Sequence, residues 1–568
     1  MADYPWIKSY PPPARWDIPI ETGPVPVLLD EAAVKFGDRP AVEFMGKKAT
    51  YKELLALANR AAKGFQALGV GPGVHVGLFL PNVPHYLVAF FGVLKAGGTV
   101  VNYSPLDAEK TLEHKVHDSH TRMIVTLDLP QLLPQMEHLL ATTELQKLII
   151  GGIPDVPTFP LWPRNENAKR DETHIPFTDL VDNDGNYEPH DIGDPAQAIA
   201  VLQYTGGTTG LPKGAMLTHA NLTAASNQYR ETTHVDPPVL LDGEERTLIV
   251  LPLFHIYSLS AVMLLSVRLG SEMILHARFE PEAVVKDIAA KKITAFFGVP
   301  TMYTALLAQP SIGDVNLTSV KYCASGGAPL PLEVQNAFEA VTGCKINEGW
   351  GMTETSPAGT FMPMYGLRKK GSCGIPVPQV VLKFASVQDP TQYVPLGERG
   401  EICIKGPNVM KGYWHNEGAT DAIMTADGFM RTGDVAIMDE DGYVFIVDRI
   451  KDMLLCGGYN VYPRNIEEAI YQHTSVAEVC VIGVPDAYRG ESPKAFITLK
   501  PGHPEFTLEE LKAFLKDKLG KHEMVGILEF RSELPKTPVG KIQKAVLVEE
   551  EAKKRAAASQ EPAGVSGE

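Results

Sequence analysis

The sequence predicts a large N-terminal α/β domain, made of two βαβ-type subdomains and a β-rich subdomain, followed by a small α+β domain. Three observations predict this architecture. Strand and helix patterns alternate over residues 1–200 and recur at 248–307 and 319–347, which indicates βαβ units around largely parallel sheets. Short strands separated by glycine-rich turns fill residues 371–448. After Asp448 a charged segment is followed by strands and two helical stretches, which is typical of a separate α+β unit.

Composition and charge narrow the functional classes. The chain has 568 residues, of which 44% are apolar and 21% charged, as in a globular protein with several cores. Its net charge of −16 argues against an extended basic face, so nucleic acid is not an expected partner. The six cysteines are scattered without a CxxC pair, which predicts neither a zinc site nor disulfides and fits a reducing compartment. Residues 1–19 contain prolines and charges where a signal peptide needs an apolar run, so we expect a cytoplasmic protein.

The elements of the first 350 residues follow from hydrophobic periodicity. Residues 51–62 repeat apolar side chains at helical spacing, 74–80 are predicted as a strand, and a helix near 86–95 precedes a strand at 99–101. Residues 248–267 carry no formal charge and are long enough to span a bilayer. They contain a proline, a histidine and three serines, so we interpret them as a buried strand followed by a buried helix, without a transmembrane segment.

The last third contains shorter elements. Residues 400–406 and 441–447 are predicted strands of the β-rich subdomain. Helical patterns occur near 464–472 and 507–520, and a basic loop follows them. Residues 555–568 are rich in Ala, Gly, Ser and Glu and are predicted to form a disordered tail.

The strongest chemical signal is the segment at residues 204–214, which follows an apolar strand. It combines glycines, threonine hydroxyls and a lysine: Thr205, Gly206, Gly207, Thr208, Thr209, Gly210 and Lys213. Glycines let backbone N–H groups approach an anion, hydroxyls add donors, and lysine adds a positive charge, which suits a polyphosphate. The segment is not a P-loop, because Leu211 and Pro212 separate Gly210 from the lysine.

This loop resembles the phosphate loop [ST]SG[ST]TGxPKG of the adenylate-forming acyl-CoA synthetases. It departs from that pattern only at Gly206, a variation shared by long-chain fatty acyl-CoA synthetases. The resemblance extends over about residues 25–550 through further segments in the expected order, and it is closest to the medium- and long-chain enzymes. It implies an adenylation domain at 1–448, a hinge at 449–451 centred on Lys451, and a mobile C-terminal domain at 452–554.

The resemblance also assigns the nucleotide and metal residues. Gly327, Ala328 and Pro329 would line adenine, and Asp434 and Arg449 would contact the ribose or phosphates. The remaining positions that match nucleotide-binding residues are Glu348, Gly349, Trp350, Gly351, Met352, Thr353 and Ile446. Glu354, with Thr208, would hold Mg²⁺, since a hard cation prefers carboxylate and phosphate oxygens.

Further matches concern the acid and the thiol. His255, Tyr257 and Gly326 match the acyl site, and Gly457, Gly458 and Tyr459 match the loop that lines the tunnel for coenzyme A. Lys541, in a loop stiffened by prolines and glycine, matches the adenylation lysine. The resemblance names Lys541, Glu354 and Thr205 as catalytic, and Lys541 as a lysine that an acetyltransferase and a deacetylase could control. A homodimer is a further expectation.

Together these matches imply an acid–thiol ligase that uses ATP and coenzyme A. It would convert a carboxylic acid to an acyl adenylate and pyrophosphate, and then to acyl-CoA and AMP. The apolar stretches near 259–267 and 296–307 favour a medium- to long-chain fatty acid. An aryl acid, a dicarboxylate, loading of a carrier protein, and nucleotide binding without catalysis remain alternatives.

Overall fold

The computed structural model describes residues 4–152, 169–205, 211–313, 315–486, 488–537 and 540–558. Its strands in chain order are β1 (Pro40–Phe44), β2 (Lys47–Thr50), β3 (His75–Leu78), β4 (Thr99–Asn102), β5 (Thr121–Leu127), β6 (Lys147–Gly151), β7 (His174–Pro176), β8 (Ile199–Thr205), β9 (Lys213–Thr218), β10 (Arg246–Ile249), β11 (Glu272–Leu275), β12 (Ala295–Gly298), β13 (Tyr322–Ser325), β14 (Ile346–Glu348), β15 (Thr360–Phe361), β16 (Ile375–Pro376), β17 (Val381–Ala385), β18 (Gly400–Lys405), β19 (Met430–Met438), β20 (Val444–Arg449), β21 (Leu454–Cys456), β22 (Tyr459–Val461), β23 (Val476–Asp486), β24 (Gly490–Leu499) and β25 (Ile527–Phe530).

Helices connect most of these strands. The α-helices in chain order are α1 (Val25–Phe36), α2 (Tyr51–Ala67), α3 (Pro84–Lys95), α4 (Glu109–Ser119), α5 (Leu133–Thr142), α6 (Phe177–Leu180), α7 (His219–Thr233), α8 (Leu265–Leu269), α9 (Pro281–Ala290), α10 (Pro300–Leu307), α11 (Leu332–Thr342), α12 (Glu417–Asp421), α13 (Pro463–Tyr471), α14 (Leu508–Leu515) and α15 (Lys544–Ala558).

Two seven-stranded sheets form the centre of the large domain. One has the order β7-β6-β5-β3-β4-β8-β9 and the other β14-β13-β12-β10-β11-β1-β2. In both sheets the strands run parallel except at one edge, where β9 and β2 are antiparallel to their neighbours. Parallel neighbours need crossover connections, and the helices between the strands provide them. The prediction of two βαβ-type subdomains is therefore confirmed.

A layer of helices lies between the two sheets. α2 contacts β1 of one sheet, while α3 contacts α2 and also β3 and β4 of the other sheet. All twelve residues of α3 are buried, as expected for a helix that is apolar on every side. A Cβ at Gly92 would lie 2.6 Å from the Cβ of Ala61, so this glycine permits the close crossing of α3 and α2. The start of α2 is fixed by a capping box between Thr50 and Glu53.

The β-rich subdomain is an antiparallel sheet in the order β17-β18-β19-β20. Residues 4–16, which we call the N-terminal strap, pack against this part of the chain. The Trp6 side chain is 1% exposed, and a Cβ at Gly442 would lie 2.4 Å from the Trp6 Cα. The Ser9 hydroxyl donates to the Asp441 carbonyl oxygen over 2.7 Å.

The small domain follows a short connection. β20 ends at Arg449, a 3-10 turn occupies Ile450–Asp452, and β21 begins the next sheet, whose order is β22-β21-β24-β23 with β25 beside β24. The predicted hinge at 449–451 lies in this connection and stays a prediction. α13 and α14 cover the sheet, which confirms the α+β expectation, although α14 ends at Leu515 instead of near residue 520.

Two segments differ from what the sequence predicted. Residues 248–267 form the end of β10 and a helix, but the helix begins as a π-helix over Tyr257–Leu264 before α8. The predicted disordered tail is wrong for residues 555–558, because α15 extends to Ala558; the ion pair between Lys553 and Glu549 one turn earlier favours helix here. The other residues of the predicted tail, 559–568, lie outside the described residues. In the described ranges, no helix is both long and apolar enough to cross a bilayer.

Candidate active site

A large cavity lies between the second seven-stranded sheet, the β-rich subdomain and the small domain. Its volume is about 1660 Å³, and its walls include the loops at the carboxyl ends of β12, β13 and β14. Ligands of open α/β sheets bind outside the carboxyl ends of the strands, so this is the expected place for a site. The cavity lining contains every predicted site residue that the structure describes, except Gly457, Gly458 and Tyr459.

The loop after β13 brings the acyl and adenine positions next to Lys541. Gly327 has a φ of +81°, a left-handed conformation that favours glycine. A Cβ at this position would lie 2.9 Å from the Cε and 3.4 Å from the Nζ of Lys541. The neighbouring Gly326 faces Tyr257, whose ring carbon Cζ is 3.2 Å from a Cβ built there. Ala328 and Pro329 complete this wall of the cavity.

The segment after β14 folds back tightly. A Cβ at Gly351 would lie 1.3 Å from the Pro357 carbonyl oxygen, so the chain tolerates no side chain there. A Cβ at Gly349 would lie 2.9 Å from the Thr360 carbonyl oxygen, which also excludes a side chain. This fold-back presents Trp350, Met352, Thr353 and Glu354 to the cavity.

Asp434 is held by two donors. Its position on β19 lies opposite Arg449 on β20, and the Arg449 Nε donates to Oδ1 over 2.9 Å. The Trp350 indole Nε1 donates to Oδ2 over 2.8 Å. The charge of Asp434 raises the pKa of the Arg449 guanidinium above its usual value. Ile446 lies on the same strand as Arg449 and also lines the cavity.

Glu354 is buried and has a partner that the sequence did not reveal. The Tyr413 hydroxyl donates to Oε1 of Glu354 over 2.7 Å, and the Lys213 Nζ lies 5.2 Å from the centre of the Tyr413 ring. Tyr413 reaches this place because its segment pairs with β9: Trp414 N donates to the Gly214 carbonyl oxygen over 2.8 Å. Only the aromatic dipeptide Tyr413-Trp414 after a glycine could have suggested it.

The predicted phosphate loop joins β8 to β9. Thr205 at the end of β8 is the register partner of Lys213 at the start of β9, so the loop connects two antiparallel strands. Both residues line the cavity near Tyr413. The positions Gly206, Gly207, Thr208, Thr209 and Gly210 lie outside the described residues.

His255 and Glu348 are titratable side chains in the cavity wall. Burial, and then the positive charge of Lys541, lower the pKa of His255 to about 3, so its Nδ1 is free to accept from the Tyr257 backbone N over 3.3 Å. Burial raises the pKa of Glu348 to about 7. One oxygen of Glu348 accepts from the Leu330 backbone N over 3.2 Å, which braces the loop after β13.

Lys541 enters the cavity from the small domain. Its loop is closed by the Thr537 hydroxyl, which accepts from the Lys541 backbone N over 3.0 Å, and anchored by the Thr301 hydroxyl, which donates to the Gly540 carbonyl oxygen over 2.7 Å. Burial, and then the positive charge of Arg449, lower the pKa of Lys541 to about 8.

The predicted coenzyme A loop lies elsewhere. Gly457 and Gly458 have φ values of +61° and +83°, and a Cβ at either would have nothing within 4 Å. The Tyr459 side chain is 63% exposed, and its ring centre lies 5.0 Å from that of His522. Lys451, by contrast, lines the cavity beside Arg449, and burial lowers its pKa.

Known proteins are similar to this chain in sequence and in fold. The AMP-binding enzyme family matches residues 29–414, and the AMP-binding enzyme C-terminal domain matches residues 465–541. The long-chain-fatty-acid–CoA ligase of Bacillus subtilis (strain 168) is 40% identical over 561 residues, which cover 96% of this chain and 98% of that protein. The enzyme of the same name from Salmonella typhimurium is 37% identical, with coverages of 96% and 98%. Among solved structures, the anthranilate CoA ligase AuaEII in complex with anthranoyl-AMP is similar, with a TM-score of 0.83, 26% identity and coverages of 95% and 99%.

Proposed function

The chain belongs to the AMP-binding enzyme family, and from that premise we propose how its own residues convert a long-chain fatty acid to its CoA thioester. The protein is an ATP-dependent acid–thiol ligase that acts through an acyl adenylate. The observation that carries the assignment of residues is the contact of Lys541 with Gly327, in the same cavity as Glu354 and Asp434.

The nucleotide would lie between the loop after β13 and strands β19 and β20. Asp434 would accept hydrogen bonds from the ribose hydroxyls, since a carboxylate offers about four lone-pair directions and Trp350 and Arg449 occupy two. The two donors also orient the carboxylate before the nucleotide binds. Gly327, Ala328 and Pro329 would contact the base through their backbone.

The phosphates would lie near Lys213, Thr205 and Glu354. The described residues fit a magnesium ion here, because Glu354 is a buried carboxylate whose Oε1 is bonded to Tyr413 while Oε2 has no such partner in the described chain. Glu354 would hold the ion, which when bound supplies positive charge to the phosphate oxygens. Thr208, the second expected ligand, lies outside the described residues.

Lys541 would act on the first chemical step. A carboxylate oxygen of the acid bonds to the α-phosphorus as the bond from that phosphorus to pyrophosphate breaks. The ammonium of Lys541 would stabilise the negative charge on the α-phosphate, and neutral His255 would border the carboxylate without adding charge. No general base is needed, because the attacking carboxylate is already ionised.

The second step requires a different placement of the small domain. The thiol sulfur of coenzyme A bonds to the carbonyl carbon, the bond from that carbon to the phosphate oxygen breaks so that AMP leaves, and the thiol proton passes to solvent. In this structure Lys541 is in the cavity and the loop from Gly457 to Tyr459 is outside it. We propose that rotation about Lys451 exchanges the two.

Two assays test the reaction and the role of Lys541. AMP release with ATP and coenzyme A is measured over acids from acetate to palmitate, with benzoate and pimelate included, and palmitate is expected to be turned over best. Lys541→Ala is expected to abolish adenylate formation and to spare thioester formation from supplied acyl adenylate. Lys536→Ala, on the same loop but paired with Glu478 over 2.8 Å, is the control that keeps both steps. Equal loss of both steps in Lys541→Ala would contradict the assigned role.

We propose that acetylation of Lys541 regulates the enzyme. It would replace the ammonium with a neutral amide and so remove the charge that adenylation needs. Because Lys541 is enclosed in this arrangement, a modifying enzyme would need the small domain to move first. Acetylated protein, verified by mass spectrometry, is expected to lose adenylation and to regain it on deacetylation. If fully acetylated protein kept its adenylation activity, regulation by acetylation would be refuted.

A further inference from the structure

The acid-binding end of the cavity contains three tyrosines whose hydroxyls lack a protein partner. Tyr229 lies on α7, Tyr257 begins the π-helix and Tyr322 begins β13, and all three line the cavity. Their side chains are half-buried. In the described ranges, none of the three hydroxyls donates or accepts a hydrogen bond, and none is among the fully buried polar atoms that lack one. Each hydroxyl therefore keeps accessible surface on a residue that lines the cavity.

These three differ from the tyrosines of the core. The fully buried tyrosines all bond their hydroxyls to backbone or side-chain oxygens, as buried polar groups generally do. They are Tyr51, Tyr86, Tyr103, Tyr303 and Tyr443. The fully buried tyrosine hydroxyls thus have hydrogen-bond partners within the protein, whereas the three at the acid-binding end do not.

Tyr257 connects these tyrosines to the place where the carboxylate would react. The Tyr257 ring covers Gly326, and the next residue, Gly327, touches Lys541, where the carboxylate reacts. Tyr229 and Tyr322 line the same cavity as Tyr257.

The cavity lining includes the apolar residues Ala261, Leu265 and Phe297, and also Thr233, one turn after Tyr229 on α7. Arg368 is a cation near Tyr322, but it does not line the cavity and already donates to Asn347 Oδ1 over 2.7 Å and to the Pro363 carbonyl oxygen over 2.8 Å. Arg230 and Lys321, the chain neighbours of Tyr229 and Tyr322, do not line the cavity either. A neutral oxygen therefore suits this end better than a second carboxylate.

We propose that this end of the cavity selects fatty acids whose chain carries a hydroxyl or keto oxygen over unsubstituted chains of the same length. The proposal rests on the proposed function. A phenol hydroxyl both donates and accepts, so it can bond either substituent. An unsubstituted chain would displace water from the three hydroxyls without replacing its hydrogen bonds, and a site built to bond an oxygen discriminates against the analogue that lacks it.

The test compares octadecanoate with hydroxyoctadecanoates substituted near the carboxyl, at mid-chain and near the methyl end. We expect at least one isomer to exceed octadecanoate by about tenfold or more in kcat/KM for AMP release. Tyr229→Phe and Tyr322→Phe are expected to move that ratio toward one. Tyr303 does not line the cavity, and its hydroxyl donates to the Ala324 carbonyl oxygen, so Tyr303→Phe should leave the ratio unchanged.

Two results would overturn the proposal while the ligase assignment stands: octadecanoate equal to or better than every hydroxylated isomer, or a preference that survives both phenylalanine substitutions. Absence of AMP release with every acid would contradict the proposed function instead. Calorimetric binding of the same acids to the wild-type chain and the two variants would then decide the role of the tyrosines separately.

Discussion

Lys541 carries its charge in surroundings that disfavour it. It is enclosed by the loop after β13 and lies near Arg449, which has the same sign of charge. Its ammonium therefore loses its proton more readily than that of a surface lysine. The phosphates of ATP would reverse this balance on binding. Catalysis requires that the interaction of Lys541 with the α-phosphate strengthen further as negative charge accumulates there in the transition state.

The pH dependence of adenylation follows from this. Because the pKa of Lys541 is lowered to about 8, the ammonium is present below pH 8 and lost above it, so kcat/KM for ATP in adenylation should fall as pH rises through about 8. Pyrophosphate release at saturating acid measures this. Residual activity of Lys541→Arg should lack this alkaline limb, since arginine stays protonated. A wild-type profile that is flat to pH 10 would be inconsistent with the buried lysine.

Tyr413 gives a second prediction at this scale. Tyr413→Phe removes the donor to Glu354 Oε1, so the carboxylate loses its orientation but keeps its charge. The half-saturating Mg²⁺ concentration in adenylation should rise by about 10-fold, as for other residues that orient metal ligands. Tyr443→Phe, which removes a hydroxyl bonded to the Leu367 carbonyl oxygen, is the control and should not change it. An unchanged magnesium requirement in Tyr413→Phe would exclude the orienting role.

At the residue scale, a local motif is the easiest to place from sequence. Glu354 and its neighbours come within one short segment that the resemblance assigned to the nucleotide; the structure places this segment in the cavity wall, and its roles stay predictions. Tyr413 escaped because its place depends on backbone pairing with β9, about 200 residues earlier, which leaves no local pattern. The bond from Trp350 to Asp434 joins two motifs that sequence treats separately, and only the folded chain reveals it.

At the scale of elements, the parallel sheets were the most predictable part. Their strands are continuous apolar runs between helical patterns, and that alternation survives in the sequence because both faces are buried. The π-helix at Tyr257–Leu264 was not predictable, since its apolar residues fit an α-helix equally well. The end of α14 was placed too late, because the charged residues after Leu515 still suit a helix.

The loop between β21 and β22 offers a test with a matched control. Gly458 has a φ of +83° and Gly502, in another turn of the small domain, a φ of +80°, and a Cβ at either meets nothing within 4 Å. Leucine at either position should cost about 1 kcal/mol of backbone strain. Only Gly458→Leu should also obstruct pantetheine, lowering CoA-dependent AMP release on the order of 100-fold while pyrophosphate release continues. Equal effects of Gly458→Leu and Gly502→Leu would show that strain, and not the tunnel, is responsible.

At the scale of the whole molecule, the structure corresponds to the first of the two arrangements that we propose, with Lys541 in the cavity. The hydrogen bond from Thr301 to Gly540 joins the large domain to the loop that carries Lys541. The resemblance implied that the small domain moves, which stays a prediction, and the sequence did not indicate which placement the chain adopts without substrates.

Thr301→Val tests the importance of that contact. The valine keeps the shape but cannot donate a hydrogen bond, so the arrangement with Lys541 in the cavity should lose about 1 kcal/mol of stability. Adenylation should therefore slow about fivefold, whereas thioester formation from supplied acyl adenylate should be unaffected. Thr342→Val, which removes a bond to the Phe338 carbonyl oxygen within α11, is the control and should change neither step. Equal slowing of both steps in Thr301→Val would mean that the bond does not distinguish the arrangements.

The N-terminal strap has a consequence for how the protein is made. The hydroxyl of Ser9 bonds to a residue 432 positions later, so the strap cannot dock until nearly the whole large domain has left the ribosome. At translation rates of about 5–20 residues per second, the interval is roughly 20 to 90 s. Throughout that time Trp6 and its neighbours are exposed on the nascent chain and available to chaperones. The strap can pack against the β-rich subdomain only after that subdomain has been synthesised.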